Sequence, residues 1–541
     1  MRLERASVGM EQASPVTAIN TDSAKLFLQR YRFPVNGTVL FRFSAACPFP
    51  PTRFRPQFIA MIHDDSSAAG LLYEKVAGKI TKLIRDGVLR PGDRIPSVRR
   101  ASRQHRVSVT TAVQAYLALE NRGLIEARPK SGFYVRFRRS DDIAEPRLSK
   151  PAVRAAAVGM VDLVTRFFES AARPGIVPLG AALPGEELLP TVKLNRLLAS
   201  ISRTSAGRSA SYDIPPGCAP LRREIARRSL DFGSPLGVDE IVTTCGATEA
   251  LVLCLRAVAQ PGDIIAVESP TYYGFLKTIE GLGLKAVEIS THPRNGMDLD
   301  ALAAALRRHK IAAVLAMPSF NNPLGSLMPD ENRRRLVELL AKKEIPLIED
   351  DVYGDLHFEP VRPRVARAFD RHGLVMLCGS FSKTLAPGYR VGWCAPGRFL
   401  QRVKTLKFTN TIATATLPQL AIAEFLKNGG YDHHLRTLRR TYAEQVQRVS
   451  EAVAESFPPG IALSRPRGGF VLWIELPRAV DTLALHEQAL RENISLAPGP
   501  LFSAKQQFRN CIRLSCGHPW SSRIERAISV LGYLVKKAAA R

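Results

Sequence analysis

The sequence has no long apolar run and few cysteines. Across its 541 residues there is no stretch of about 18 uncharged apolar residues, so no transmembrane helix is predicted. The amino terminus lacks an apolar core ending in small residues, which argues against a secretory signal. The 8 cysteines include no CxxC pair, and their spacing resembles neither a zinc site nor a disulfide scaffold. These absences predict free thiols, no metal site and a cytoplasmic location.

Acidic residues are scarce in the first quarter of the chain. Residues 61–140 carry sixteen Lys and Arg against seven Asp and Glu, a net charge of +9. Residues 1–60 add +5 to a total net charge of +27 for the chain. Concentrated basic charge favours a polyanionic partner, although by itself it is a weak signal.

Patterning divides the chain into four segments. Residues 1–65 show little periodicity and are rich in Arg, Pro and Phe, which predicts an irregular or disordered leader; alternatively, the natural start lies near Met61. Residues 66–138 are predicted to form a compact unit, and residues 139–175 a linker with a helical piece. Residues 176–541 alternate helical patterns with short apolar strands, which predicts an α/β domain with a mainly parallel sheet.

The compact unit has the pattern of three short helices followed by a β-hairpin. Ser97 and Ser108 are placed to cap the second and third helices. LIEARPKSGFYV is typical of two strands joined by a basic turn that contains glycine. Helical spacing predicts apolar faces on the first and third helices, formed by Leu72, Val76, Ile80, Leu83 and Ile84 and by Val113, Tyr116 and Leu117.

This order of elements is a winged helix-turn-helix, whose third helix enters the major groove with its first residues near base edges. Any one basic or polar residue in it would, alone, be interpreted as a solvated surface group. Taken together they favour DNA contacts. The predicted DNA-binding residues are Arg99, Ser108, Thr110, Thr111, Gln114, Lys130 and Gly132. The pieces GVLRPGDRIPSVR, VSVTTAVQAY and LENRGLIEARPKSGFYV closely resemble the GntR-type DNA-binding domain.

Five motifs in the large domain each follow a predicted strand: TTCGATEALVLCL, ESPTYYG, PSFNNPLG, PLIEDDVYGDL and GSFSKTLAPGYRVGW. Each has an ordinary structural interpretation, as a turn, a packed tyrosine or a helix cap. Open α/β sheets bind ligands where their strands end, so the shared position favours one site. A lysine among hydroxyls, an arginine, a glycine turn and a strand-end carboxylate together suit pyridoxal phosphate.

Residues 176–541 resemble the fold-type I, aspartate-aminotransferase-like family of pyridoxal-phosphate proteins. The resemblance implies that Lys383 forms the Schiff base and that Asp350 pairs with the pyridinium nitrogen. Tyr353 and Asn322 would then contact the phenolic oxygen, and Tyr272 the ring face. Arg513 would clamp a substrate carboxylate. Implied phosphate contacts are Gly246, Ala247, Thr248, Ser380, Ser382, Arg390 and, from a neighbouring subunit, Tyr212. The family's Asn-Pro-Thr-Gly motif departs here at Leu324, which is not a direct cofactor contact.

The two modules together resemble the MocR-type regulators. This resemblance implies a transcription factor that forms head-to-tail homodimers, binds operator DNA and holds pyridoxal 5′-phosphate as an internal aldimine. An amine, an amino acid or the cofactor itself would be the signal. One alternative is an aminotransferase with an accessory DNA-binding domain, since a shared fold does not settle function. Another is a dimerisation scaffold without cofactor.

Overall fold

The computed structural model describes residues 72–85, 88–89, 92–121, 124–128, 131–136 and 143–540. The predicted leader and Lys130 lie outside these ranges. Within them, no helix is long and apolar enough to cross a membrane, and no group of three or more His, Cys, Asp and Glu could hold a metal ion. The cysteines in the described ranges are free thiols.

The amino-terminal domain is a three-helix unit with a hairpin. Its elements are α1 (Leu72–Arg85), α2 (Val98–His105), α3 (Val109–Asn121), β1 (Ile125–Arg128) and β2 (Gly132–Val135). The strands pair antiparallel, with Ile125 opposite Val135. The core includes Val76 and Ile80 of α1 and Tyr116 of α3, whereas Leu72 and Leu83 are exposed. The predicted winged helix-turn-helix is confirmed.

The apolar side predicted for α3 is wrong in two of its three members. Val113 and Leu117 are exposed, while Tyr116 is buried and its hydroxyl donates to the Pro96 carbonyl at 2.5 Å. Residues three and four apart share a helix face, and small side chains around Tyr116 let α3 approach its neighbours closely. The buried face consists of Ala112, Ala115, Tyr116 and Leu119.

The large domain is built on a nine-stranded sheet. Its strands run in the order β3, β7, β6, β9, β10, β11, β12, β5, and β8 pairs with β7. Pairing is parallel from β7 to β11 and antiparallel around β12. The bounds are β3 (Ala156–Ala157), β4 (Val177–Pro178, outside this sheet), β5 (Val242–Thr244), β6 (Ile264–Ser269), β7 (Lys285–His292), β8 (Gly296–Met297), β9 (Ile311–Ala316), β10 (Leu347–Asp350), β11 (Val375–Ser380) and β12 (Gly392–Ala395).

Helices cover both faces of this sheet. Alternate residues of β6 point to opposite faces. Ile265 and Val267 belong to the hydrophobic core on one face of the sheet, and Ala266 belongs to the core on the other face. Because both faces are covered, a central strand such as IAAVLA at residues 311–316 is a continuous apolar run. The helices are α4 (Val161–Ala171), α5 (Thr191–Thr204), α6 (Ala206–Ser209), α7 (Ala219–Arg228), α8 (Gly246–Val258), α9 (Tyr273–Gly281), α10 (Leu299–Arg308), α11 (Asp330–Ala341), α12 (Leu400–Thr411) and α13 (Thr416–Lys427).

A smaller subdomain follows. Its antiparallel sheet has the order β13, β14, β17, β16, and β15 pairs with β4 in parallel. The elements are α14 (Gly430–Ser456), β13 (Ala462–Leu463), β14 (Val471–Glu475), α15 (Thr482–Arg491), β15 (Ile494–Ser495), β16 (Ala497–Pro498), β17 (Cys511–Ser515) and α16 (Ser522–Ala539). The predicted class, a winged helix joined to a mainly parallel α/β domain, is thus observed.

The carboxyl-terminal part of the predicted linker packs on the large domain. The Thr291 amide donates to the Ser149 hydroxyl at 3.0 Å, and β3 pairs with the edge strand β7. Val164 and Phe167 of α4 are buried in the main core. These contacts fix α4 beside the carboxyl ends of the parallel strands, where the predicted ligand site lies.

Candidate functional site

Lys383 lies in the loop after β11, facing a cavity of about 170 Å³. Its Nζ donates to the Ala182 carbonyl at 2.7 Å and lies 5.9 Å from the centre of the Tyr353 ring. Burial, followed by the positive charge of Arg513, lowers the pKa of Lys383 to about 8, although Asp350 opposes the shift. At pH 7 a pKa of about 8 leaves about a tenth of the Lys383 amine neutral, and the neutral amine is the nucleophile.

Asp350 ends β10 and lines the same cavity. Its Oδ1 accepts the Val352 amide at 3.2 Å. Burial is the main cause that raises the pKa of Asp350 to about 7, and neighbouring carboxylates add to the effect. A buried carboxylate needs a cation or a strong donor to stay ionised. Its surroundings therefore fit a ligand that brings a protonated nitrogen.

Tyr353 and Asn322 form the polar side of the cavity. The Tyr353 hydroxyl is buried and has no hydrogen-bond partner among the described residues. The Asn322 Oδ1 accepts from Arg513 Nη1 at 3.2 Å. Because buried polar groups are normally paired, the Tyr353 hydroxyl suits an oxygen supplied by a ligand.

An anion cradle forms where α8 begins. Gly246 has φ of 80°, and a Cβ there would lie 2.5 Å from Arg390 Nη2. Arg390 contacts the Cys245 carbonyl at 3.3 Å and the Ser382 hydroxyl at 3.4 Å. Ser380 and Ser382 hydroxyls lie 2.9 Å apart. A helix amino terminus with two hydroxyls and a guanidinium suits a phosphate.

A buried ion pair missed by the sequence analysis supports this cradle. Glu249 Oε2 accepts the Cys245 amide at 2.6 Å and Lys407 Nζ at 2.7 Å. Thr411 and Thr414 accept the other Lys407 hydrogen bonds at 2.8 and 3.0 Å. Burial alone would raise the pKa of Glu249, but Lys407 and Thr411 lower it. Glu249, an acid in the first turn of α8, could have been noticed in the sequence. Its partner Lys407 could not, because it lies 158 residues away.

The remaining predicted cofactor and ligand residues have different settings. Tyr272 lines the cavity, with its ring centre 4.7 Å from that of Tyr273. Arg513 is fully buried beside Asn322, outside the cavity lining, and its Nε has no partner within the described ranges. Tyr212 is 77% exposed and does not line the cavity of its own chain.

The cavity thus gathers residues from widely separated segments of the sequence. The cavity lining also includes apolar side chains that the sequence analysis did not single out: Phe168, Leu183, Leu251, Met317 and Val352. Predicted residues in the lining are Ala247, Thr248, Tyr272, Asn322, Asp350, Tyr353, Ser380, Ser382, Lys383 and Arg390. Gly246 is not part of the lining, although it directly precedes Ala247, which is.

The DNA-binding candidates lie around the amino-terminal end of α3. Ser97 caps α2 by accepting the Arg100 amide at 3.3 Å, and Arg99 is exposed. Ser108 caps α3 by accepting the Thr111 amide at 3.0 Å, and the two hydroxyls lie 2.8 Å apart. Ser108, Thr110 and Gln114 are exposed and Thr111 is half-buried. The hydroxyls of Ser108 and Thr111 are used in the cap, so the polar side chains left for other contacts on this part of α3 are those of Thr110 and Gln114.

Gly132 begins the second strand of the hairpin. Its φ of 110° lies in the region that favours glycine, and a Cβ there would lie 3.4 Å from Arg94 Nε. This glycine therefore has a structural reason to be present, whether or not it touches DNA.

Comparisons with known proteins match both parts of the chain. Residues 186–531 match the family Aminotransferase class I and II, and residues 72–135 match Bacterial regulatory proteins, gntR family. Members of the first family use pyridoxal 5′-phosphate. Two uncharacterized HTH-type transcriptional regulators of Escherichia coli K12, YjiR and YdcR, are each 38% identical over 86% of this chain and 99% of their own length.

A solved structure is similar over the large domain. LysN, the alpha-aminoadipate aminotransferase from Thermus thermophilus, has a TM-score of 0.65 and 28% identity. The match covers 72% of this chain and 96% of LysN, whose structure is complexed with N-(5'-phosphopyridoxyl)-L-leucine. The similarity therefore extends over almost the whole of that aminotransferase.

Proposed function

We propose that this chain senses an amine through pyridoxal 5′-phosphate held at Lys383. The chain belongs to the HTH-type transcriptional regulators that join a GntR DNA-binding domain to an aminotransferase class I and II domain. The observation that carries this proposal is the cavity, where a nucleophilic lysine, a buried Asp350 and an unpartnered Tyr353 hydroxyl meet. We also propose that it acts in the cytoplasm, where DNA and amine metabolites are available.

Each group around the cavity has a separate role in holding the cofactor. When bound, pyridoxal phosphate supplies a carbonyl that reacts with amines and a ring that withdraws electrons. Asp350 would keep a proton on the ring nitrogen, and Tyr353 with Asn322 would donate to the phenolic oxygen. Tyr272 would cover the ring face. The phosphate contacts would be the start of α8, Thr248, Ser380, Ser382 and Arg390.

The effector that fits best is an amine that also bears a carboxylate. Arg513 is the candidate partner because a guanidinium binds a carboxylate through two parallel hydrogen bonds. Its buried, unpartnered Nε leaves one donor to satisfy. Since Arg513 lies behind Asn322 and outside the cavity lining, we expect effector binding to move these side chains.

A second copy of the chain would complete the site. Tyr212 and Ile214 are large apolar residues that are exposed to solvent. Burying them in a head-to-tail homodimer would remove apolar surface from water. In that dimer we propose that the Tyr212 hydroxyl reaches the phosphate site of the partner.

One helix offers a route from Lys383 to the DNA-binding domain. Near the start of α14, the Tyr431 hydroxyl lies 3.0 Å from the Thr384 hydroxyl and His434 donates to the Thr384 carbonyl at 2.7 Å. Further along α14, Glu451 accepts a hydrogen bond from Arg136 of the DNA-binding domain at 3.0 Å. At 1.5 Å per helical residue, Glu451 lies about 25 Å along α14 from His434. We infer that α14 couples the two sites, provided that the effector binds two states differently.

Covalent attachment tests the sensor. The full-length protein reconstituted with pyridoxal phosphate is reduced with borohydride, and mass spectrometry locates the pyridoxyl group. We expect the label on Lys383 and none in Lys383→Ala, while the control Lys427→Ala, at an exposed lysine, keeps it. A label of equal yield in Lys383→Ala would show that this lysine is not the attachment site.

A gel shift tests the regulator, using duplex DNA from upstream of the protein's own gene. We expect a shift that weakens steeply with salt because phosphate contacts release counterions. Arg99→Ala and Thr110→Ala should each weaken it. Amines that change the cofactor spectrum should change the DNA affinity. If none of them does, the coupling between the two sites is absent.

Transamination is the second candidate function. The presence of Lys383, Asp350 and Arg513 together favours it as an accessory activity. The measurement is conversion of an α-amino acid to its keto acid by the cofactor-loaded protein, with Lys383→Ala as the blank. Turnover that is independent of DNA, with no effect of amino acids on DNA affinity, would make catalysis the main function.

A further inference from the structure

The recognition helix α3 presents an unexpected apolar stripe to solvent. Val109 is 51% exposed and Val113 is 39% exposed. The two residues are four apart, so they lie on the same side of the helix. A soluble domain normally buries such β-branched residues, but α3 contributes Ala115, Tyr116 and Leu119 to the core instead.

The stripe adjoins the polar residues expected to meet bases. Thr110 follows Val109 and Gln114 follows Val113, and both polar side chains are exposed. Ser108 and Thr111, by contrast, bond to each other in the helix cap. The surface that the first two turns of α3 present is therefore half apolar and half polar.

Charge around the stripe indicates what covers it. Residues 94–119 contain five arginines and no Asp or Glu. Arg99, Arg100, Arg103 and Arg106 are exposed. An apolar protein partner would gain nothing from this charge, whereas the phosphates on both sides of a major groove match it.

Building on the proposed DNA-binding function, we propose that Val109 and Val113 determine operator specificity by packing against thymine 5-methyl groups in the major groove. Valine has no hydrogen-bonding group, and the thymine methyl is the apolar group that this groove displays among the four bases. The amino-terminal residues of a recognition helix are those closest to base edges. Gln114 and Thr110 would read neighbouring bases by hydrogen bonds.

The test removes single methyl groups from the DNA. The full-length, cofactor-loaded protein first selects duplexes from a random-sequence library, and footprinting then defines the bound site. Each thymine in the footprint is replaced in turn by deoxyuridine, which lacks only the 5-methyl group. We expect one or two positions per half-site where dissociation constants rise about threefold to fivefold. Replacements outside the footprint serve as the DNA control.

Matched protein variants assign those positions. Val109→Ala or Val113→Ala should weaken binding to the thymine duplex by about threefold to tenfold and should lose the sensitivity to deoxyuridine at one position. Leu117→Ala, further along the same stripe and 49% exposed, should bind like the parent protein. All three changes are at exposed sites, and circular dichroism confirms folding.

The outcomes separate this inference from the proposed function. A selected duplex whose affinity is unchanged by every deoxyuridine replacement would overturn the inference and leave DNA binding intact. Valine variants that keep full deoxyuridine sensitivity would overturn it as well. If these variants change only the oligomeric state in sedimentation, the stripe binds a second copy instead. Failure to select any duplex would overturn both proposals.

Discussion

The candidate DNA-binding surface on α3 and the cavity beside Lys383 differ in where their key residues lie. Those on α3 are exposed, and those at the cavity are buried. On α3, Thr110, Gln114, Val109 and Val113 are exposed, and the domain core lies behind them. At the cavity beside Lys383, Asp350 and Tyr353 are buried, and burial raises the pKa of Asp350 to about 7. A surface site can change its specificity at little cost in folding free energy, whereas a buried site carries polar groups that destabilise the fold until a ligand pairs them.

The largest expected effect is on the buried pair beneath the anion cradle. Lys407→Met leaves Glu249 as an unpaired buried carboxylate, which should lower the free energy of unfolding by about 3–5 kcal/mol. Chemical denaturation of the cofactor-free protein measures the change. It should also weaken retention of pyridoxal phosphate, because Glu249 holds the Cys245 amide at the start of α8.

The matched control is an exposed ion pair. Asp300→Asn breaks the contact of Asp300 with Arg335, whose side chains are both exposed, and should cost at most about 1 kcal/mol. Equal losses of unfolding free energy in Lys407→Met and Asp300→Asn would mean that burial does not determine how much an ion pair of this protein contributes to stability.

The next effect is pH-dependent and concerns Asp350. Its pKa is about 7 in the fold against an ordinary value of 3.8, so the unfolded chain loses its proton first as pH rises. The contribution of Asp350 to the stability of the cofactor-free protein should therefore fall between about pH 4 and 7 and stay low above that. Asp350→Asn should be more stable than the parent at pH 8, by a few kcal/mol, and nearly equal to it at pH 4.

Adding pyridoxal phosphate should reverse the order at pH 8. If pyridoxal phosphate binds as proposed, its ring nitrogen would bring the proton that Asp350 needs, and the parent protein should gain more thermal stability than the variant. Melting temperatures with and without cofactor test this. A variant that is less stable than the parent in both conditions at pH 8 would contradict the idea that Asp350 is kept for the ligand.

The smallest effects are expected on α3. Ser108→Ala removes the helix cap and should cost about 1 kcal/mol of unfolding free energy, whereas Thr110→Ala at the neighbouring exposed position should cost less than about 0.5 kcal/mol. Both should weaken operator binding in a gel shift. If Thr110→Ala destabilised the domain as much as Ser108→Ala, Thr110 would contribute to folding as well, and weaker DNA binding could not be assigned to a lost contact.

Much of the site followed from the sequence because strand order fixes it. Asp350 and Ser380 are the last residues of neighbouring parallel strands β10 and β11, so both lie at the same edge of the sheet and line the same cavity. The cap at Ser108 was predictable for a similar reason, since its partner amide is three residues away. Local and topological contacts of this kind are visible in a sequence.

Contacts between distant segments were not visible. The Lys383 amine donates to Ala182, 201 residues away, and a carbonyl acceptor leaves no mark in the sequence. The buried side of α3 was misassigned because Val113 and Leu117 satisfy the same helical spacing as a core face. Apolar spacing shows that one face is distinctive, but it does not show whether protein or DNA covers that face.

The sequence by itself determined the two modules, the fold class and most of the polar residues around the cavity, because motif order and strand-end positions depend on local chemistry. Tertiary structure alone decided which of those residues are buried and which are paired. Among the described residues Tyr353 lacks a partner for its hydroxyl and Arg513 lies behind Asn322, while Val109 and Val113 face outward. Burial and pairing depend on segments far apart in the chain, and they set the energy of each polar group.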